Sequence, residues 1–117
     1  MSDLIRNLEK IFKAAGDRNR LRVINMLTLR AMCVCEIQAV LKVSQSTVSG
    51  HLKVLREAGL VTDSREGLWV EYHLEGETPF ARKMLSCITD QLRDDPVMTR
   101  ERQEAGRVSR KNLKCGV

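Results

Sequence analysis

Two stretches of helical periodicity are separated by only Lys42-Val43-Ser44. Few arrangements satisfy so tight a joint between helices. The first stretch predicts a helix over about Val34 to Leu41, with Ile37 and Leu41 facing inward. Ser44 is a good N-cap for the second, which runs to about Ala58 and is stopped by Gly59. On this second helix Val48, Leu52 and Leu55 share a face. At about 100° per residue, Ser46, Ser49, Gly50 and Lys53 fall opposite them. Beyond Gly59 the pattern changes to strands over 60–63 and 68–74. Ser64-Arg65-Glu66-Gly67 reads as the turn of a hairpin, with Gly67 supplying a positive φ.

Helix, short turn, helix and hairpin in that order predict a mainly α chain with a small β-hairpin wing, a winged helix-turn-helix. Upstream, Ser2 or Asp3 caps a first helix carrying Leu4, Leu8, Ile11, Phe12 and Ala15, and Gly16 ends it. Asp17 caps a second helix, with Leu21, Ile24 and Leu27 inside. Downstream, Thr78-Pro79 opens a long helix with an apolar stripe of Phe80, Met84, Cys87, Ile88 and Leu92. Pro96 ends or interrupts it. Residues 93–117 hold seven Lys/Arg against four Asp/Glu. The expected division is therefore a DNA-binding and dimerisation domain over 1–95 and a polar, basic, flexible tail over 96–117.

The net charge of +5 favours a polyanionic partner. No apolar run approaches the roughly 20 residues of a membrane span, and Met1-Ser2-Asp3-Leu4 does not open a signal peptide. A cytoplasmic protein with no membrane partner is expected. The reading helix of such a fold lays its N-terminal side chains on base edges. Here these are Gln45, Ser46, Thr47, Ser49, Gly50 and His51. Lys53 and Arg56 are placed to reach phosphates, and Arg65 at the hairpin tip to touch backbone or minor groove. A capped, solvated helix would show a similar polar face. The preceding helix, the short turn and the basic wing favour double-stranded operator DNA.

Four cysteines occur, at 33, 35, 87 and 115. In a reducing compartment they are thiols, and Cys33-Val34-Cys35 suits soft ions. Cys33 and Cys35 fall at the start of the third helix. Residues two apart on a regular helix point about 200° from one another. Capture of one ion by both sulfurs is therefore expected to unwind or tilt that helix and so disturb the reading helix. The bland alternative is a pair of small buried hydrophobes. No Gly-rich anion loop lies beside any Cys, so no thiol-based reductase, and no enzyme of any kind, is indicated.

Three segments together resemble the ArsR/SmtB metalloregulators: 33–37 (Cys-Val-Cys-Glu-Ile), 43–61 from Val43-Ser44-Gln45 to Gly59-Leu60-Val61, and 65–72 from Arg65-Glu66-Gly67 to Tyr72. Ala15-Gly16-Asp17-Arg18-Asn19-Arg20-Leu21-Arg22 resembles the opening of that family's second helix. The similarity spans about 11–74. It implies a homodimeric transcriptional repressor, dimerised through its first and last helices, that binds an inverted repeat and is released by a metal or metalloid. The Cys-Val-Cys segment resembles the arsenical-responsive branch, so As(III) or Sb(III) is the implied inducer at Cys33 and Cys35. Cadmium and lead sensors share that segment, which leaves a Cd(II)/Pb(II)-responsive repressor as an alternative. A thiol redox-sensing repressor is another.

The chain departs from the family in three ways. Gln38 stands where some arsenical sensors carry a third Cys, no Cys precedes Cys33 where the cadmium/lead type adds N-terminal cysteines, and no His follows His73, which argues against a zinc site on the last helix. Two sulfurs leave a trivalent arsenical one open position. Cys115, in the tail, is the expected third ligand, with Cys87, a small thiol or water as competitors.

Overall fold

Side-chain caps start most of the helices. In the computed structural model, which describes residues 2–111 and 113, Ser2 caps α1 (Asp3–Ala15) and Asp17 caps α2 (Arg18–Leu27). Ser44 caps α4 (Gln45–Glu57) and Thr78 caps α5 (Pro79–Arg93). Each accepts a hydrogen bond from a backbone N–H in the first turn that the helix itself cannot satisfy. Between α2 and α4 lie β1 (Met32–Cys33) and α3 (Val34–Leu41). Lys42 ends α3 in the left-handed region at φ 61°, and its N–H donates to Gln38 O at 2.8 Å.

The sheet is antiparallel, ordered β1-β3-β2, with β2 over Val61–Glu66 and β3 over Trp69–Leu74. Its register pairs Val61 with Leu74 and Glu66 with Trp69, leaving only Gly67 and Leu68 in the loop. The expected four-residue turn is thus shorter, and Arg65 lies on β2 opposite Val70, next to the tip. Gly67 has the positive φ, 63°, that the tight loop requires. Strand β1 is an addition to the sequence reading. Its pairings, Met32 to Tyr72 and Cys33 to Glu71, are too few to leave a periodic trace.

Val23, Ile24, Met26, Met32, Ile37, Val48, Leu52, Leu55 and Leu60 are fully buried where the helices meet the sheet. Two faces differ from expectation. On α1 only Ile11 and Ala14 are buried, while Leu4 and Phe12 are 66% and 56% exposed. On α5 the inward positions are Ala81 and Leu85, and Cys87 is exposed.

The largest correction concerns 96–107, the first part of the expected tail; residues 112 and 114–117 of that tail lie outside the described residues. Residues Pro96–Arg107 form α6, a helix packed on α2 and α3, so no domain boundary falls at 95/96 and this part is not a flexible tail. Polar contacts hold it. Asn25, fully buried on α2, donates from Nδ2 to Met98 O at 3.0 Å and accepts from Arg102. Arg22 pairs with Glu101 at 2.8 Å. A helix fixed by arginines and a buried amide shows no broad apolar stripe, which hid it. Its start signal was nevertheless present: Asp95 caps it and Pro96 follows, as Thr78-Pro79 do for α5.

Replacing Asn25 by Leu, close in volume, strands Arg102 and the Met98 carbonyl. Thermal melting of Asn25→Leu should show a loss of about 2 kcal/mol. An unchanged Tm would mean that α6 is held by other contacts.

Candidate DNA interface and thiol site

The three-residue joint delivers α4 with its N-terminus outward. Gln45, Ser46, Thr47, Ser49, Gly50, Lys53 and Arg56 are all exposed. The hydroxyls of Ser44, Ser46 and Thr47 gather at the helix start, Ser44 Oγ lying 3.2 Å from Ser46 Oγ and 2.8 Å from Thr47 Oγ1. Gly50 sits inside the helix with open space where a Cβ would stand. Nothing in the protomer's packing therefore asks for glycine there, although it disfavours the helix.

Two residues of the expected DNA-facing set have partners within the protomer. His51 is half-buried, with its Nδ1 3.2 Å from Arg20 Nη1. Arg20 also donates to Ala14 O at 2.7 Å and Lys13 O at 3.0 Å, so it ties the end of α1 to α4. A guanidinium only donates, so Nδ1 accepts and the ring's Nε2 carries the proton. Arg56 pairs with Asp63 on β2 at 3.3 Å. Arg65 is exposed on the wing beside the loop.

The thiol pair departs from the expected geometry. Cys33 is not inside α3 but is its N-cap, with extended φ −89° and ψ 166°. This places its sulfur beside that of Cys35 in the first turn, at 3.3 Å. The pair is therefore already together, and unwinding of α3 is not needed to join it. Cys35 is disulfide-bonded in this state, so the pair becomes a dithiol on reduction. Cys115 lies outside the described residues.

Glu36, 4% exposed, organises the pair. Its Oε1 accepts from Cys33 N at 2.9 Å and Cys33 Sγ at 3.3 Å. Its Oε2 accepts from Arg30 Nη1 at 3.3 Å and Arg110 N at 3.1 Å. Burial tends to raise the Glu36 carboxyl, but these donors outweigh it and hold the group below the usual carboxylate range. Burial pushes the Cys33 thiol up, and the neighbouring Glu36 carboxylate adds to that. The sequence reading missed Glu36 as a site residue. Its signal was the spacing of a capping box, an acidic residue three positions after the cap.

A cleft of about 730 Å³ opens beside the sulfurs, between α3 and the wing, with Val43, Leu68, Trp69 and Leu113 in its walls. Among the described residues no group of three or more His, Cys, Asp or Glu side chains is arranged to hold a metal ion.

A buried thiol with a raised pKa reacts slowly with alkylating agents, because the thiolate is the nucleophile. Mass mapping after brief iodoacetamide treatment at pH 8 should find exposed Cys87 modified at least about tenfold faster than Cys33. Equal rates would contradict this account of the site.

Residues 17–63 match the family profile described as bacterial regulatory protein, arsR family. The arsenical resistance operon repressor of Bacillus subtilis is 40% identical over 77 residues, covering 65% of this chain and 73% of that protein. A cadmium resistance transcriptional regulatory protein CadC homolog of Staphylococcus aureus is 33% identical over 72 residues, covering 61% of this chain and 60% of that one. A homodimeric winged helix-turn-helix DNA-binding domain from Mycobacterium bovis shares the fold at a TM-score of 0.67 with 23% identity, over 80% of this chain and 89% of that chain. Profile, relatives and fold agree on a winged helix-turn-helix transcriptional regulator rather than an enzyme. The chain belongs to the ArsR family of bacterial regulatory proteins.

Proposed function

We propose that this regulator is a cytoplasmic, homodimeric repressor that binds an inverted-repeat operator and releases it when Cys33 and Cys35 capture As(III) or Sb(III). The observation that carries this reading is the 3.3 Å approach of the two sulfurs at the start of α3, the helix that leads into α4. An ion about 2.3 Å from each sulfur, as in zinc–thiolate bonds, would subtend roughly 90° at a pair 3.3 Å apart. That angle suits a pyramidal trivalent centre with a lone pair better than a tetrahedral divalent ion. We therefore rank tetrahedral Cd(II) behind As(III) and Sb(III), although a relative is named for cadmium resistance.

Capture replaces the Cys33 proton by the ion and removes the Sγ–Glu36 hydrogen bond. Glu36 is then free to shift against Arg30 and the N-cap of α3, and α3 carries the movement through Lys42-Val43-Ser44 to α4. Release follows if the ion binds the shifted state better than the DNA-binding state. As third ligand we propose Cys115. Leu113 lines the cleft beside the pair, and the two residues that follow span at most about 7 Å. Cys87 is on α5, which packs against α2 and α6 rather than beside the pair.

For DNA, the exposed N-terminal half of α4 supplies Gln45, Ser46, Thr47, Ser49 and Gly50 to base edges, and Lys53 and Arg65 to phosphates. His51 and Arg56 act at one remove, as the contacts to Arg20 and Asp63 suggest. The exposed Leu4, Ile5 and Phe12 of α1, with Phe80 of α5 6.2 Å from Phe12 between ring centroids, would be covered by the second copy. The disulfide at Cys35 supports one second reading, a repressor switched by thiol oxidation. Mild peroxide would then release DNA where arsenite does not.

In reductant, Cys33→Ser and Cys35→Ser should each bind operator as the native chain does and lose release by arsenite, read by fluorescence anisotropy. Serine keeps the volume but supplies no soft thiolate. Native sensitivity in either variant would place the sensor elsewhere.

Gly50→Ala separates folding from reading. It should raise stability by about 0.5–1 kcal/mol while weakening operator binding, because the added methyl faces the groove. A variant with unchanged affinity would show that α4 does not approach DNA closely at Gly50.

A further inference from the structure

The rest of the sheet supports the wing only at its base. Strand β1 meets β3 at Tyr72 and Glu71, so the ribbon beyond those residues has two strands and a tight loop. A two-stranded ribbon is marginal alone and does not fix its own angle to the body. The chain after α6 reaches it from outside the sheet. Val108 packs on the core, and its carbonyl accepts from Arg30 at 2.8 Å. The N–H of Arg110 donates to Glu36 Oε2 at 3.1 Å, which fixes this segment to α3. From that anchored backbone the Arg110 side chain extends to the wing. Its guanidinium carbon lies 5.0 Å from the centre of the Trp69 ring, and its Nη1 is 3.7 Å from Glu71 Oε2. Trp69 and Glu71 are two apart on β3 and share a face of the ribbon, while Val70 between them points the other way. Val70 is opposite Arg65 in the register, and directly opposed residues share a face. Arg110 therefore grips one face of the wing, and Arg65 projects from the other.

Resting on the reading that Arg65 meets a DNA phosphate, we propose that Arg110 is a positioning residue for the wing. It touches no DNA. It holds the ribbon at the angle that brings Arg65 to the backbone when α4 lies in the major groove. The stack on Trp69 and the pair with Glu71 are each weak at a partly solvated site, but they act on a ribbon that is itself marginal. A wing held in place before binding loses less freedom on the DNA, so the contact at Arg65 is realised more fully. The guanidinium suits this task because one planar group covers the ring and meets the carboxylate at once, which a lysine ammonium does less well.

The test uses the full chain in reductant and a fluorescein-labelled duplex that the native chain selects from a random-sequence pool, with affinity read by anisotropy at fixed salt. Arg65→Ala and Arg110→Ala should each weaken binding about fivefold. The double variant should bind no worse than the weaker single one, because without Arg110 the Arg65 side chain is already off its phosphate. Glu71→Gln decides by sign. It removes a negative charge, so general attraction to DNA predicts tighter binding, whereas a loosened Arg110 predicts binding about threefold weaker. Arg110→Lys should fall between the native chain and Arg110→Ala. Trp69 is the only tryptophan, and its emission before DNA is added should shift in Arg110→Ala and shift less in Arg110→Lys. Additive losses for Arg65 and Arg110 would make Arg110 a second phosphate contact and overturn the proposal. So would native affinity in Arg110→Ala, or tighter binding by Glu71→Gln. Should Arg110→Ala fail to fold, the sign for Glu71→Gln still decides. If Arg65→Ala binds as the native chain does, the reading of the wing itself fails, and this inference with it.

Discussion

The carboxylate of Glu36 is the point on which the sensing half of the molecule hangs. One oxygen receives the N–H and the thiol of Cys33, and the other receives Arg30 and the backbone of Arg110. Arg30 in turn donates to Ala105 O at 3.1 Å and Val108 O at 2.8 Å, the carbonyls around the end of α6. A single buried anion thus joins the edge strand β1, the start of α3 and the exit of α6. A buried carboxylate tolerates this position only while its donors are in place. Any event that takes the Cys33 proton removes one of them.

That coupling also explains why the thiols sit at a helix cap. A cap residue has extended backbone, so its side chain folds back over the first turn rather than pointing away from it. Cys33 uses this geometry to meet Cys35. From the same cap, α3 runs only to Leu41 before the joint to α4. The chemical event and the reading helix are therefore separated by one short rigid element. On the other side, Arg110 lies over Trp69 at 5.0 Å and pairs with Glu71 at 3.7 Å, which ties the segment after α6 to the wing. Both parts proposed to touch DNA, α4 and the wing, are thus mechanically close to the sulfurs.

Much of this was legible in the sequence because strong local rules agreed. Ser44, Gly59, Gly67 and Thr78-Pro79 each mark a boundary by a specific backbone requirement, and the core of Ile37, Val48, Leu52 and Leu55 follows the helical period. What escaped had physical reasons. The expected start of α3 at Val34 is the observed one, but carrying the helical rotation of about 100° back to Cys33, its cap, puts that sulfur on the wrong side of the first turn. Helix α6 went unseen because Asn25, Arg22 and Arg102 hold it through polar contacts. His51 and Arg56 lie on α4 as expected, but their partners, Arg20 and Asp63, come from other elements. No spacing rule along one helix could have paired them.

The central claim is that thiol capture and operator binding compete through one conformational equilibrium. Linkage makes this reciprocal. The direct measurement is the arsenite affinity of the reduced repressor, alone and saturated with operator DNA, set beside its operator affinity with and without arsenite. The account predicts that both affinities fall by the same factor, at least about tenfold. An arsenite affinity indifferent to bound operator would contradict it.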